Sequence, residues 1–269
     1  MLIKDGFILL WLGLVMGSFA NVCIYRWPRN LSIFFPIRSE CPWCHHQIRW
    51  FDNLPLLSYF LLGRRCRDCR SPIHYRYPLV EAALPLLWMA GLYLAYHRFG
   101  PMSLFFHITL FLFFFVIVVT TATDLEWQII PDAASLPLMG IGLLFSYWNP
   151  ILGSHQTLFR FVASLLGFAV GGGTLLIIAF VGNLFFKKDV MGGGDIKLLA
   201  AFGAFLGWEG ALVSLFAGSL IGGFFAIIGL LTRRLKRHQT IPFGPLLNLG
   251  GLIAFYLKIT YPSIIGLVQ

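Results

Sequence analysis

Charge is what this 269-residue sequence has least of: 12% of its residues are Asp, Glu, Lys or Arg, and only 11 are acidic. Soluble globular chains average about 25% charged residues. With 58% hydrophobic residues and a mean hydropathy of +0.80, the deficit excludes an ordinary soluble domain and implies an integral membrane protein. Low-complexity segments and any clear internal repeat are absent as well. No Rossmann-type Gly-x-Gly-x-x-Gly follows a strand pattern, so no dinucleotide-type cradle is visible by spacing. Cysteine is scarce, five in all, but four of the five fall in the window 26–78 together with nine Arg. The net charge of +9 calls for no nucleic-acid partner. It sits in loops, where it sets topology and favours anionic membrane lipid headgroups.

Apolar stretches of spanning length fall near 6–25, 79–97, 103–123, 133–149, 158–181, 196–208, 211–231 and 246–265. The sixth is short for a span at about 1.5 Å per residue. The expected fold is an all-α polytopic membrane protein of about eight helices with a small polar insert. Its parts are a first transmembrane helix over 1–25, the insert over 26–78, and a membrane domain over 79–269. Residues 1–25 read as an uncleaved span rather than a signal peptide, because the basic residues follow the apolar run. With the insert on the cytoplasmic side, 16 of the 20 Lys and Arg lie inside, among them Lys187, Lys188, Arg233, Arg234, Lys236 and Arg237. Lys4, Arg98, Arg160 and Lys258 lie outside, as do both termini. This asymmetry obeys the positive-inside rule.

Within the insert, Cys41 and Cys44 form one CxxC pair and Cys66 and Cys69 a second, 21 residues on. Each pair can offer two thiolates from a tight knuckle, and two knuckles complete a tetrahedral zinc site. A loop of this length has little core, so a structural metal would supply stability. A redox dithiol and unmetallated cysteines are the alternatives, while a reducing cytoplasm argues against disulfides. His45, His46 and His74 read as solvated loop residues, and Cys23 as a small packing residue in the first span.

Two carboxylates stand at helix ends on the same face. Asp124 closes the run FFFVIVVTTATD, and Asp195 follows Gly192, Gly193 and Gly194. Acidic side chains at the edge of hydrocarbon are costly and mark function. The bland readings are real: Asp132 after Pro131, and Asp195 itself, suit helix N-termini. Glu126 and Asp189 suit interfacial loops. Asp124 has the weakest such excuse, since a carboxylate at a helix C-terminus opposes the dipole. Three glycines beside Asp195 let a substrate backbone or a facing helix come close. Two carboxylates sharing a site hold one proton between them and can act as base and acid on a peptide bond. The Gly-xxx-Gly pairs 167/171, 203/207 and 218/222 read as helix packing.

Taken together, GSFANVCIYRWP at 17–28, the two CxxC pairs, YPLVE at 77–81, Asp124 with Ile130, Pro131 and Asp132 downstream, and GGGDIK at 192–197 resemble the type IV prepilin leader peptidase/N-methyltransferases, GxGD-type membrane aspartic proteases. The resemblance runs nearly end to end. It implies that Asp124 and Asp195 are the catalytic dyad, with Gly192, Gly194, Asp132 and Lys197 auxiliary. It further implies cleavage of the basic leader of type IV prepilins or type II secretion pseudopilins at the cytoplasmic face of the bacterial inner membrane. The new N-terminal residue is then methylated from S-adenosylmethionine. Asn21, Arg26 and Glu81 are candidates for the methyl-transfer region, each with a structural alternative. Competing expectations are a peptidase without methyl transfer, and a non-enzymatic transporter or scaffold whose zinc insert docks a partner.

Overall fold

The computed structural model describes residues 3–36, 38–153, 157–186, 191–232 and 241–261. Lys187, Lys188, Arg233, Arg234, Lys236 and Arg237, which carry part of the expected charge asymmetry, lie outside them, as does Asp189. Among the described residues every named element is helical: α1 (Ile3–Arg26), α2 (Leu57–Leu61), α3 (Arg76–Phe99), α4 (Leu104–Trp127), α5 (Asp132–Leu144), α6 (Thr157–Phe186), α7 (Gly193–Leu231) and α8 (Gly244–Thr260), with short 3₁₀ turns between. The chain is a polytopic helical membrane protein. Among the described residues five helices, α1, α3, α4, α6 and α7, are long and apolar enough to cross a bilayer, whereas α5 and α8 are shorter apolar helices. The expected segments 196–208 and 211–231 both fall within α7.

The helices group into two compact units, residues 1–93 and 94–269. In the first, α1 and α3 run antiparallel, and small residues set their approach: a β-carbon on Gly17 would lie 2.8 Å from Glu81 Cα, and one on Gly13 2.6 Å from Pro85 Cβ. The insert between them has almost no regular structure. A bidentate ion pair, Arg67 Nε to Asp52 Oδ2 at 2.8 Å and Nη2 to Oδ1 at 2.6 Å, ties its 50–53 turn to the second CxxC loop.

The second unit is built around α4, which is apolar on every side and correspondingly buried. Ser103 caps it, accepting from Phe106 N–H, and it ends where Gln128 turns left-handed at φ 54° and donates its N–H to Asp124 O. Phe113 anchors the core, with ring centroids 5.4 Å from Phe202, 4.8 Å from Phe205 and 5.6 Å from Phe255. The path of α7 is the notable departure from a simple helix count. Straight, its 39 residues would extend about 58 Å. Instead the backbone leaves the helical region at Gly207 (φ 79°, ψ 175°). Residues 193–206 run against α6, pairing Leu199 with Gly171 and Gly203 with Gly167. Residues 208–231 run against α8, pairing Ser214 with Gly250 and Gly218 with Leu246. Lys258, near the end of α8, bonds Glu209 beside the break at 3.0 Å, while Gly244, at the start of α8, bonds Asp124. The second limb therefore returns toward the end from which the first set out, and Gly207 is a hairpin.

Candidate functional site: a carboxylate pair and a four-thiol cluster

Asp124 reaches the site from the last turn of α4, which the Gln128 cap closes. Asp195 reaches it from the first turn of α7, begun by Gly192 in extended backbone. Both line one cavity of about 230 Å³, together with Gln128, Ile129, Ile130, Gly192 and Gly194. Asp124 is 6% exposed, and its Oδ2 accepts the Gly244 N–H at 2.9 Å. Asp195 Oδ1 is buried with no hydrogen-bond partner. A water between two such carboxylates can lose a proton to one while the other protonates what it attacks.

The glycines before Asp195 have distinct jobs. A β-carbon on Gly194 would sit 2.8 Å from Ile130 Cβ and 3.3 Å from Ile130 O, so this residue must be small for α7 to start against the 128–131 turn. A β-carbon on Gly192 would meet Asp195 Oδ2 at an ordinary 3.6 Å, and one on Gly193 would meet nothing within 4 Å. Asp132 and Lys197 stay at the rim as an exposed ion pair, Nζ 2.7 Å from both carboxylate oxygens, strapping the start of α5 to that of α7.

In the insert, the Sγ atoms of Cys41, Cys44, Cys66 and Cys69 all lie within 4.8 Å of one another. Tetrahedral zinc with Zn–S near 2.3 Å needs S···S separations of about 3.8 Å, and Cys41 Sγ to Cys69 Sγ is 3.8 Å. The four thiols therefore fit that ion. The two loops are built alike, although their sequences share only the cysteines. In each, the first Cys N–H bonds a carbonyl five residues on, at His46 and Ser71, and a left-handed residue follows at His45 (φ 56°) or Arg70 (φ 59°). Ser71, which the spacing of cysteines does not point to, contacts Cys69 Sγ at 2.9 Å and Cys41 Sγ at 3.8 Å. Its hydrogen bonding holds the Cys69 thiol down at about 6, toward the thiolate that binds metal.

Asn21, Arg26 and Glu81 lie along or just beyond the α1–α3 seam, and main-chain groups occupy much of their polar capacity. Arg26 donates to the Ser32, Ile33 and Pro36 carbonyls, Asn21 Nδ2 to Tyr77 O at 3.0 Å, and Glu81 Oε2 accepts from Leu56 N–H at 2.8 Å. Of the three, only Asn21 keeps a buried atom without a partner, Oδ1. These residues fit the task of holding the insert's ends to the helices.

Fold and site together define a class: a polytopic helical membrane protein with paired carboxylates at one cavity and a four-thiol loop. More particularly, the chain belongs to the type IV leader peptidase family. Residues 109–227 match the model of that family, and residues 11–96 match the bacterial peptidase A24 N-terminal domain. Similar proteins include the prepilin leader peptidase/N-methyltransferase of Aeromonas hydrophila, 37% identical over 90% of this chain and 87% of that protein. Those of Pseudomonas aeruginosa (33% identical, 90% and 87% covered) and Burkholderia pseudomallei strain K96243 (31% identical, 95% and 86% covered) bear the same name. No solved structure matches the chain.

Proposed function

We propose that this protein is a bifunctional inner-membrane enzyme that removes the basic leader of type IV prepilins or type II secretion pseudopilins and then methylates the exposed N-terminus. The observation that carries the peptidase half is the shared cavity of Asp124 and Asp195. One carboxylate takes a proton from water as the water oxygen bonds to the scissile carbonyl carbon. The other, protonated, gives its proton to the carbonyl oxygen. The C–N bond then breaks as the leaving amine is protonated. Gly194 lets α7 start close enough to the 128–131 turn for the two acids to share that water, and the Asp132–Lys197 pair holds the mouth. The basic insert and the positive-inside balance support a cytoplasmic location for this chemistry.

Cys41, Cys44, Cys66 and Cys69 would hold one structural zinc, and four protein ligands would leave it no open position for substrate. S-adenosylmethionine supplies the methyl group in the second reaction, a reading that rests on the relatives' names. The same names leave the transporter or scaffold alternative without support. The decisive experiment is cleavage of a purified prepilin by Asp124→Asn and Asp195→Asn in nanodiscs. Each variant is expected to insert normally and to lose cleavage, and full processing by either would refute the dyad.

A further inference from the structure

The two acids are not equivalent, and the difference lies in what α8 brings to one of them. The Gly244 N–H, at the start of α8, donates to Asp124 Oδ2 at 2.9 Å. The contact demands glycine: a β-carbon there would stand 2.7 Å from Asp124 Oδ2 and 3.1 Å from Ile130 Cδ1. One turn deeper, the fully enclosed Asn248 points its Nδ2 at Ile117 O (3.2 Å), Thr120 Oγ1 (2.9 Å) and Thr121 Oγ1 (2.8 Å) of α4. Thr120 spends its own proton on Val116 O, so it can only accept from Asn248, and the amide's donor end must face α4. Residues 124 and 244, and 120 and 248, are successive rungs of one antiparallel register. Asn248 thus fixes the height at which the Gly244 amide meets Asp124.

Among the described residues Asp195 has no such donor, and its Oδ1 is enclosed without a partner. Asp195 lies in the first turn of its own α7, where the dipole favours its charge, whereas Asp124 lies between the opposing ends of α4 (its C-terminus) and α8 (its N-terminus). The direct hydrogen bond outweighs these end effects, because an N–H donor to a carboxylate is stronger than a helix-end field and favours the ionised form of the group that accepts it. Among the described residues, the only other charged group lining the cavity is Asp195 itself. From α5, Asp132 is engaged by Lys197, and the one charge on α8, Lys258, is engaged by Glu209 at its far end.

We infer that Asn248 is a positioning residue which, through the Gly244 amide, keeps Asp124 as the ionised general base and leaves the shared proton on Asp195 as the general acid. This rests on the peptidase reading above. In the first step the water proton passes to Asp124 and the Asp195 proton to the carbonyl oxygen. In the second, Asp124 returns its proton to the leaving nitrogen as the C–N bond breaks, and a hydroxyl of the tetrahedral intermediate restores the proton to Asp195.

The test is the pH dependence of kcat for the full-length enzyme in nanodiscs with a purified prepilin, comparing wild type with Asn248→Leu, which keeps the volume but lacks the donor. The expected result is a fall in kcat of about tenfold with KM changed by no more than about twofold, as for the loss of a hydrogen bond to a charged group. The acidic limb of the profile should move to higher pH while the basic limb stays in place. A variant that only loosened the helices would lose active protein without moving either limb. If Asn248→Leu does not accumulate, Asn248→Ala carries the same readouts. A wild-type kcat and profile, or movement of the basic limb alone, overturns the inference even if Asp124→Asn is inactive. Cleavage by Asp124→Asn would instead overturn the dyad beneath it.

Discussion

Gly167 of α6 and Gly203 of α7 meet without room for a β-carbon on either: each would run into the other's carbonyl oxygen. This contact, continued by Gly171 against Leu199, seats the limb of α7 that carries Asp195. Replacing Gly203 with Leu should therefore push that limb away from α6. Since a misplacement of about 1 Å can cost about a hundredfold in rate, prepilin cleavage is expected to fall at least that far. The contact is eight residues from the acid, and the check is specific activity per folded protein, with melting temperature measured alongside.

The glycines before Asp195 should not respond alike. Gly194→Ala places a methyl 2.8 Å from Ile130 Cβ, against backbone and branched side chain that cannot easily yield. Gly192→Ala meets only a 3.6 Å contact. Gly194→Ala is expected to lose about two orders of magnitude in kcat by the same misplacement argument, and Gly192→Ala to stay within a few-fold of wild type. Equal losses in steady-state assays would show that the glycines serve flexibility rather than space.

Metal analysis of purified protein should find about one zinc per chain. Cys66→Ser should abolish it. Ser71→Ala should weaken retention against a chelator by about tenfold or more, the usual cost of losing a hydrogen bond to a ligating atom. Protein with no zinc and intact fold would remove the metal from the account.

For the second reaction, the mass of the processed substrate's N-terminus should rise by one methyl group only when S-adenosylmethionine is supplied. Cleavage with no such mass change under any condition would leave a peptidase alone. Arg26→Ala is expected to damage methylation and cleavage together, through loss of the three loop carbonyl bonds, and not methylation selectively.

Much of this was legible in residue order. The acid pair and the cysteine quartet are signalled by chemistry that is costly or unusual in an apolar chain, and the Gly-xxx-Gly pairs 167/171 and 218/222 do pack helices, whereas of the pair 203/207 only Gly203 does and Gly207 breaks the helix. The hairpin at Gly207 was harder to place. Its sequence, a glycine among apolar residues, is the same as that of glycines that merely pack, and only contacts with α6 on one limb and α8 on the other distinguish it. Gly244 and Asn248 were invisible for a related reason. Each is an unremarkable residue until folding brings it to an acid 120 positions earlier or to the turn below that acid. Ser71 carries no spacing signature, because its partners are sulfur atoms on two separate loops.

The dimensions of the cavity carry one more consequence. An α-helix with its side chains is about 10 Å across, and about 230 Å³ between Ile129, Ile130 and the two acids cannot admit one. A short stretch of extended main chain fits there. A target that arrives as a continuous helix would have to open its i to i−4 bonds around the bond to be cut before that bond could reach the two acids.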